Sequence, residues 1–139
     1  MKAHLLLGSL ATATAIALSA CGPSEPAAPV IAPTEVAAVQ TPPPDYPVEL
    51  ACSGVGGQSV LKVVVGPQGT PTEVTLLTSS GNSQLDDAAI QRVREWKFKA
   101  ATRNGQAVPT TIQVPVSFNP PQPKPDSCFA IEERMRRGG

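Results

Sequence analysis

The sequence predicts an α+β fold: a small β-β-α-β domain with a three-stranded antiparallel sheet and one main helix packed on a face. Three observations predict it. Two β-branched runs, SVLKVVVG and EVTLLTS, are separated by the turn-rich GPQGTP. Behind them the apolar period changes from two to that of a helix, at Leu85, Ala89, Val93 and Trp96. A last β-branched run, TTIQVPVSF, closes the pattern.

In chain order, YPVELACSGVGGQ predicts a short helical turn from Pro47 to Cys52, broken by Gly54, Gly56 and Gly57. The first strand is expected over Val60 to Val65 and the second over Glu73 to Ser79, joined as a hairpin with a longer loop. With a period of two, Leu61, Val63 and Val65 share one face, as do Val74 and Leu76 on the partner strand. Ser83 followed by Asp86 is a reduced capping box, and Asp86 and Asp87 are read as capping residues suited to the first helical turn. Arg92, Arg94 and Lys97 suit its last turn. Asn104-Gly105 marks a turn. Pro115, which has no amide to give a ladder, puts the third strand at a sheet edge.

Outside this region proline dominates. Eight of the 16 prolines lie between Pro23 and Pro47, and four between Pro120 and Pro125. The chain therefore divides into residues 1–20, a leader; 21–45, a semi-rigid spacer; 46–119, the domain; and 120–139, a proline-rich segment with a basic tail. The 26 residues from Gly22 to Pro47 have no helical or strand periodicity. In polyproline II form they reach about 80 Å at ~3.1 Å each. Lys plus Arg equals Asp plus Glu at 11 each, and loss of Lys2 leaves 10 against 11, a net −1. That balance gives no footprint for nucleic acid. Arg134, Arg136 and Arg137 stand beside Glu132 and Glu133, and read as a solvated tail.

The N-terminus has the layout of a secretory signal. Lys2 precedes an apolar run from Leu5 to Ala20, 16 residues long, against the ~20 needed to span a bilayer. Leu-Ser-Ala-Cys then resembles the lipobox of bacterial lipoproteins, which implies diacylation of Cys21. Gly22 lacks the aspartate that favours inner-membrane retention by the same resemblance. The expected location is the periplasmic face of a bacterial membrane, lipid-anchored, with the outer membrane favoured over the inner. Cys52 and Cys128 remain as an even pair, which in an oxidising compartment reads as a disulfide. Two free thiols are the alternative. Closing a loop of that length would contribute about 4 kcal/mol through loop-closure entropy.

Catalytic chemistry is not legible. The single histidine, His4, falls in the leader, so neither Ser-His activation nor a histidine metal site is available to the mature chain. Asp86 and Asp87 are adjacent and diverge in direction on a helix. Gln58-Ser59 after the glycines does not supply the Lys-Ser/Thr of a phosphate loop. The expectation is a protein that is not an enzyme and that needs no metal or cofactor.

Tyr46-Pro47, SVLKVVVGPQGTPTEVTLLTSSG, LDDAAIQRVREWKFKAA, NGQAV and IQVPVSF together resemble the TonB C-terminal domain family, over roughly Asp45 to Asn119. The resemblance implies a periplasmic module that binds a short extended segment, the TonB box, of an outer-membrane receptor. The segment would add as a strand beside the last strand of the domain. The corresponding edge comprises Thr110, Thr111, Ile112, Gln113, Val114, Pro115, Val116, Ser117 and Phe118. Tyr46 and Pro47 match the family motif near the receptor contact, with packing over the first turn as the alternative for Tyr46. Pro71 departs from the usual β-branched start of the second strand, which is expected to begin late. Ser9 is not followed by the histidine of a motor-coupled anchor. The leading expectation is thus a TonB-like lipoprotein that binds receptors in TonB-dependent transport. The alternatives are a structural or assembly lipoprotein that binds peptidoglycan or a partner lipoprotein, with the domain as a dimerising scaffold, and a genuine transducer with an uncleaved anchor.

Overall fold

The computed structural model describes Gly22 and residues 28–138 of the protein. The leader and Cys21 lie outside the described residues, and with them the lipidation and anchoring expectations. The elements in chain order are β1 (Ala37–Gln40), α1 (Val48–Cys52), β2 (Gly57–Val65), β3 (Pro71–Thr78), α2 (Ser83–Arg94), β4 (Lys97–Lys99), β5 (Ala101–Arg103), β6 (Gln106–Val108), β7 (Thr110–Phe118) and α3 (Ser127–Gly138).

The predicted α+β arrangement is present. The main sheet has the order β3-β2-β7, antiparallel throughout. Its register pairs Leu61 with Leu76 and Val63 with Val74 on β3, and Leu61 with Val114 and Val63 with Ile112 on β7. The alternating residues Leu61, Val63 and Val65 are fully buried under α2, which contributes Leu85, Ala89 and Val93. Phe98, Val114, Val116 and Phe118 complete the core. Each large side chain so buried stabilises the fold by about 1.5–3 kcal/mol.

The hairpin loop explains Gly69 in purely local terms. Gly69 has φ +79, and a Cβ there would meet the carbonyl oxygen of Phe98 at 1.9 Å. The Phe98 amide donates to the Gly69 carbonyl at 2.8 Å, so the loop is pinned to β4. Gly66 and Thr70 close the turn between them with a 2.9 Å bond. Because that turn is closed internally, β3 begins at Pro71, opposite Val65, and not late as expected. Proline is tolerated there as the first residue of an edge strand.

α2 starts differently from the reading of its caps. Asn82 is the N-cap, and its side chain accepts the amides of Gln84 and Leu85 at 2.9 and 3.3 Å. Asp86 is not a cap. It is turned into the protein, 6% exposed, where it accepts from the Ser59 hydroxyl at 2.7 Å, the Ser80 amide at 2.8 Å and the Ser79 hydroxyl at 2.5 Å. The helix ends at Arg94, where Glu95 and Trp96 donate three residues back to Arg92 and Val93. Trp96 therefore lies beyond the helix, half-buried, with its ring centroid 6.2 Å from that of Phe98.

Two parts read as irregular are structured. Within the proline-rich spacer, β1 pairs with β4, and Thr34 forms an isolated antiparallel bridge with Thr102. Its partner lies some 60 residues ahead, which local periodicity cannot reveal. The basic tail forms α3, packed against α1. Cys128, Ile131 and Met135 turn to one side of it, and Arg137 pairs with Glu133 one turn away. Asn104-Gly105 is a turn as read. Both residues have positive φ, 52 and 76, and join β5 to β6 as a two-residue hairpin.

Candidate functional site

The candidate site is the outer edge of β7. Paired on one side with β2 over nine residues, this strand has no partner on its other side among the described residues. Its side chains alternate cleanly. Val114, Val116 and Phe118 enter the core, whereas Thr111, Gln113, Pro115 and Ser117 are exposed. Inward packing fixes the register, since a slip of one residue would expose three apolar side chains. Pro115 stands opposite Val60 in mid-strand, consistent with its reading as an edge marker. On the solvent face the Gln58 amide donates to the Ser117 hydroxyl at 3.0 Å.

The structure brings Tyr46 to the Phe118 end of this strand. The two rings meet edge to face, with centroids 5.4 Å apart and planes at 72°. The Tyr46 hydroxyl donates to the Val55 carbonyl at 2.6 Å, and burial pushes its phenol above the ordinary range. The packing role anticipated for Tyr46 is thus present. Its hydroxyl is already engaged, and what remains for a partner is the exposed part of the ring. Pro47 precedes α1 with extended dihedrals, and its carbonyl accepts the Ala51 amide at 3.0 Å.

Cys52 and Cys128 are brought together as a disulfide, Cα to Cα 5.2 Å, with both residues essentially buried. The bridge fixes the start of α3 beside the end of α1, near Tyr46. Among the described residues no group of three or more His, Cys, Asp or Glu is placed to hold a metal. Among the same residues no helix is long and apolar enough to cross a membrane.

Sequence reasoning did not single out Trp96, Arg92 and Arg103 as a set. The structure unites them along the proline-rich segment. The Trp96 indole donates to the Pro42 carbonyl at 2.9 Å, Arg92 pairs with Asp45 at 2.8 Å and Arg103 with Glu35 at 3.2 Å. The only signal in the sequence was complementary charge, and it does not specify partners so far apart.

The sequence profile of a family described as Gram-negative bacterial TonB protein C-terminal matches residues 42–120. Curated relatives include Protein TonB of Xanthomonas campestris pv. campestris strain B100, 43% identical over 76 residues, 55% of this chain and 34% of that protein. Protein tonB2 of Pseudomonas aeruginosa is 35% identical over 80 residues, 58% of this chain and 30% of its own length. Protein TonB of Vibrio cholerae is 31% identical over 75 residues, 54% and 31% respectively. The chain thus spans about a third of the length of these relatives. Among solved structures, the solution NMR structure of the Pseudomonas aeruginosa TonB CTD aligns at a TM-score of 0.49 and 19% identity, over 66% of this chain and 90% of that one.

Proposed function

The chain belongs to the TonB C-terminal family, and we propose on that premise that it is a periplasmic receptor-binding module in TonB-dependent transport. The family is implicated in transport and not in catalysis. The proposed partner is an extended segment of an outer-membrane receptor, added as a strand along Thr110–Phe118. One observation carries this reading: β7 is a nine-residue edge strand whose register is locked by its buried side chains, while its outer edge has no partner among the described residues. Main-chain bonds along such an edge would supply affinity, and the side chains of exposed Thr111, Gln113, Pro115 and Ser117 would supply selectivity. Tyr46 and Pro47 would bound the site at its Phe118 end.

The anchor is part of the same proposal. Cys21, closing the apolar run from Leu5 to Ala20, is the site of lipidation, and the outer membrane is the favoured location. A chain so anchored binds a receptor without drawing energy from the inner membrane.

Titration of isotope-labelled protein with receptor-derived extended peptides tests the binding. The expected result is amide shifts concentrated at Thr110–Phe118 and Tyr46. Unmoved amides there at millimolar peptide overturn it, as does crosslinking in cells that yields only cell-wall fragments or a second copy of the chain. Palmitate labelling of wild type and Cys21→Ala tests the anchor: label lost in the variant is expected, and an unlabelled wild type returns the chain to the transducer reading.

A further inference from the structure

The segment Thr34–Asp45 is held to the domain by contacts unlike those of the core. Ala37–Gln40 is exposed along its whole length, with Val39 64% exposed. Its ladder with β4 has three residue pairs and an irregularity between Ala38 and Gln40. The Phe98 amide is spent on Gly69, so by strand alternation Lys97 and Lys99 turn their main-chain groups toward β1. Upstream, Thr34 and Thr102 exchange two main-chain bonds of 3.1 and 3.0 Å, and Arg103 donates to the Thr34 carbonyl at 3.0 Å. Downstream come the Pro42 carbonyl on the Trp96 indole and Asp45 on Arg92. Val36 is the side chain of this segment that packs against the core. Surface ion pairs and a short exposed ladder place a segment at the low end of local stability.

We propose that Thr34–Asp45 is an internal peptide ligand: a strap that leaves while the rest of the domain stays folded, baring an edge from Lys97 to Arg103. That edge takes an extended peptide of the chemistry the strap displays. An acid meets Arg103, alanines lie along Phe98, a proline carbonyl receives the indole proton and a second acid meets Arg92. The edge is distinct from β7, and the proposal does not rest on the receptor reading. Release also frees the 12 residues from Thr34 to Asp45, which lengthens the tether by up to about 37 Å at ~3.1 Å per residue. In cis the strap enjoys a high effective concentration, so a free peptide competes measurably only once the strap is disabled.

Native-state hydrogen exchange on the full chain is the first arm of the test. Amides of Ala37–Gln40, Lys97 and Lys99 are expected to open at least about 100-fold more often than those of Leu61 and Val63, as a local rather than global event. Equal rates overturn the proposal. The second arm uses Ala37→Pro, which removes a main-chain donor from the β1–β4 ladder, and follows Trp96, the single tryptophan. Its indole proton is expected to shift toward its solvent position while β2 and β7 amides keep their protection. A synthetic peptide of residues 33–46, at millimolar concentration, is expected to return it. An indole that the peptide leaves unmoved, or sheet protection lost together with the strap, overturns the proposal. Peptide shifts confined to Thr110–Phe118 do the same, and would point to the other edge.

Discussion

Asp86 holds a full negative charge in the protein because three donors from two places in the sequence, Ser59 and the adjacent Ser79 and Ser80, converge on it. Burial alone would raise its pKa. The bonds from the Ser79 hydroxyl, the Ser80 amide and the Ser59 hydroxyl outweigh that effect and lower it to about 2. Since the folded value lies below the unfolded ~3.9, the group's stabilisation is complete above about pH 4 and is lost as pH falls through about 2. Asp86→Asn is expected to lower stability at neutral pH by about 2 kcal/mol, an order-of-magnitude figure for hydrogen bonds to a charged acceptor. The gap between variant and wild type should shrink from pH 4 to pH 2, as denaturant titrations at each pH will measure. A constant gap would mean that the carboxylate is not what holds the serines. Sequence reading found the aspartate but assigned it to a cap. Proximity to the helix start is visible in one dimension, whereas the fully buried Ser59, 27 residues earlier, is not.

At the scale of elements, periodicity revealed those whose apolar faces meet the core. β2, β7 and α2 alternate or repeat because one side of each is buried, and the pairing of Leu61, Val63, Val74 and Leu76 followed from the same rule. β1 and α3 escaped for a different reason: each is held by something outside its own pattern. β1 is wholly exposed and owes its conformation to β4. The 12-residue α3 shows apolar spacing at Cys128, Ile131 and Met135, but a helix so short is marginal in isolation. Its tie is the disulfide to α1. Replacing Cys52 and Cys128 by serine together is therefore expected to cost about 2–4 kcal/mol and to remove the helicity of residues 127–138. Circular dichroism and unfolding curves will measure both. Undiminished helicity would show that α3 docks on α1 by packing alone. The β7 edge was legible in full, because Pro115 and the alternation of Val114, Val116 and Phe118 are written in consecutive residues.

In the whole molecule, two of the strand edges on one small core differ in how they are met. Among the described residues the outer edge of β7 has no partner, whereas the β4 edge is filled by the chain itself. The family was legible because its motifs mark loops and helix ends, such as Gly69 against Phe98, where few residue types fit. How the flanking segments fold back onto that domain was not, since those contacts join distant parts of the chain. The Cys52–Cys128 bond has a mechanical consequence for such a molecule. Tension applied between the two ends of the chain runs from Cys52 straight across to Cys128, and the 76-residue span between them, which includes the whole main sheet, lies off the load path. Stretching an oxidised molecule by its termini should straighten only the flanks. After reduction, a further contour length of about 270 Å should appear, at ~3.6 Å per residue. Single-molecule force spectroscopy with and without reductant will record it, and the same extension in both conditions would mean that the bond is not closed in the folded protein. Force delivered through a strand bound at β7 would follow another route, shearing β7 along β2, so one small domain can be inextensible end to end and yet yield at its edge.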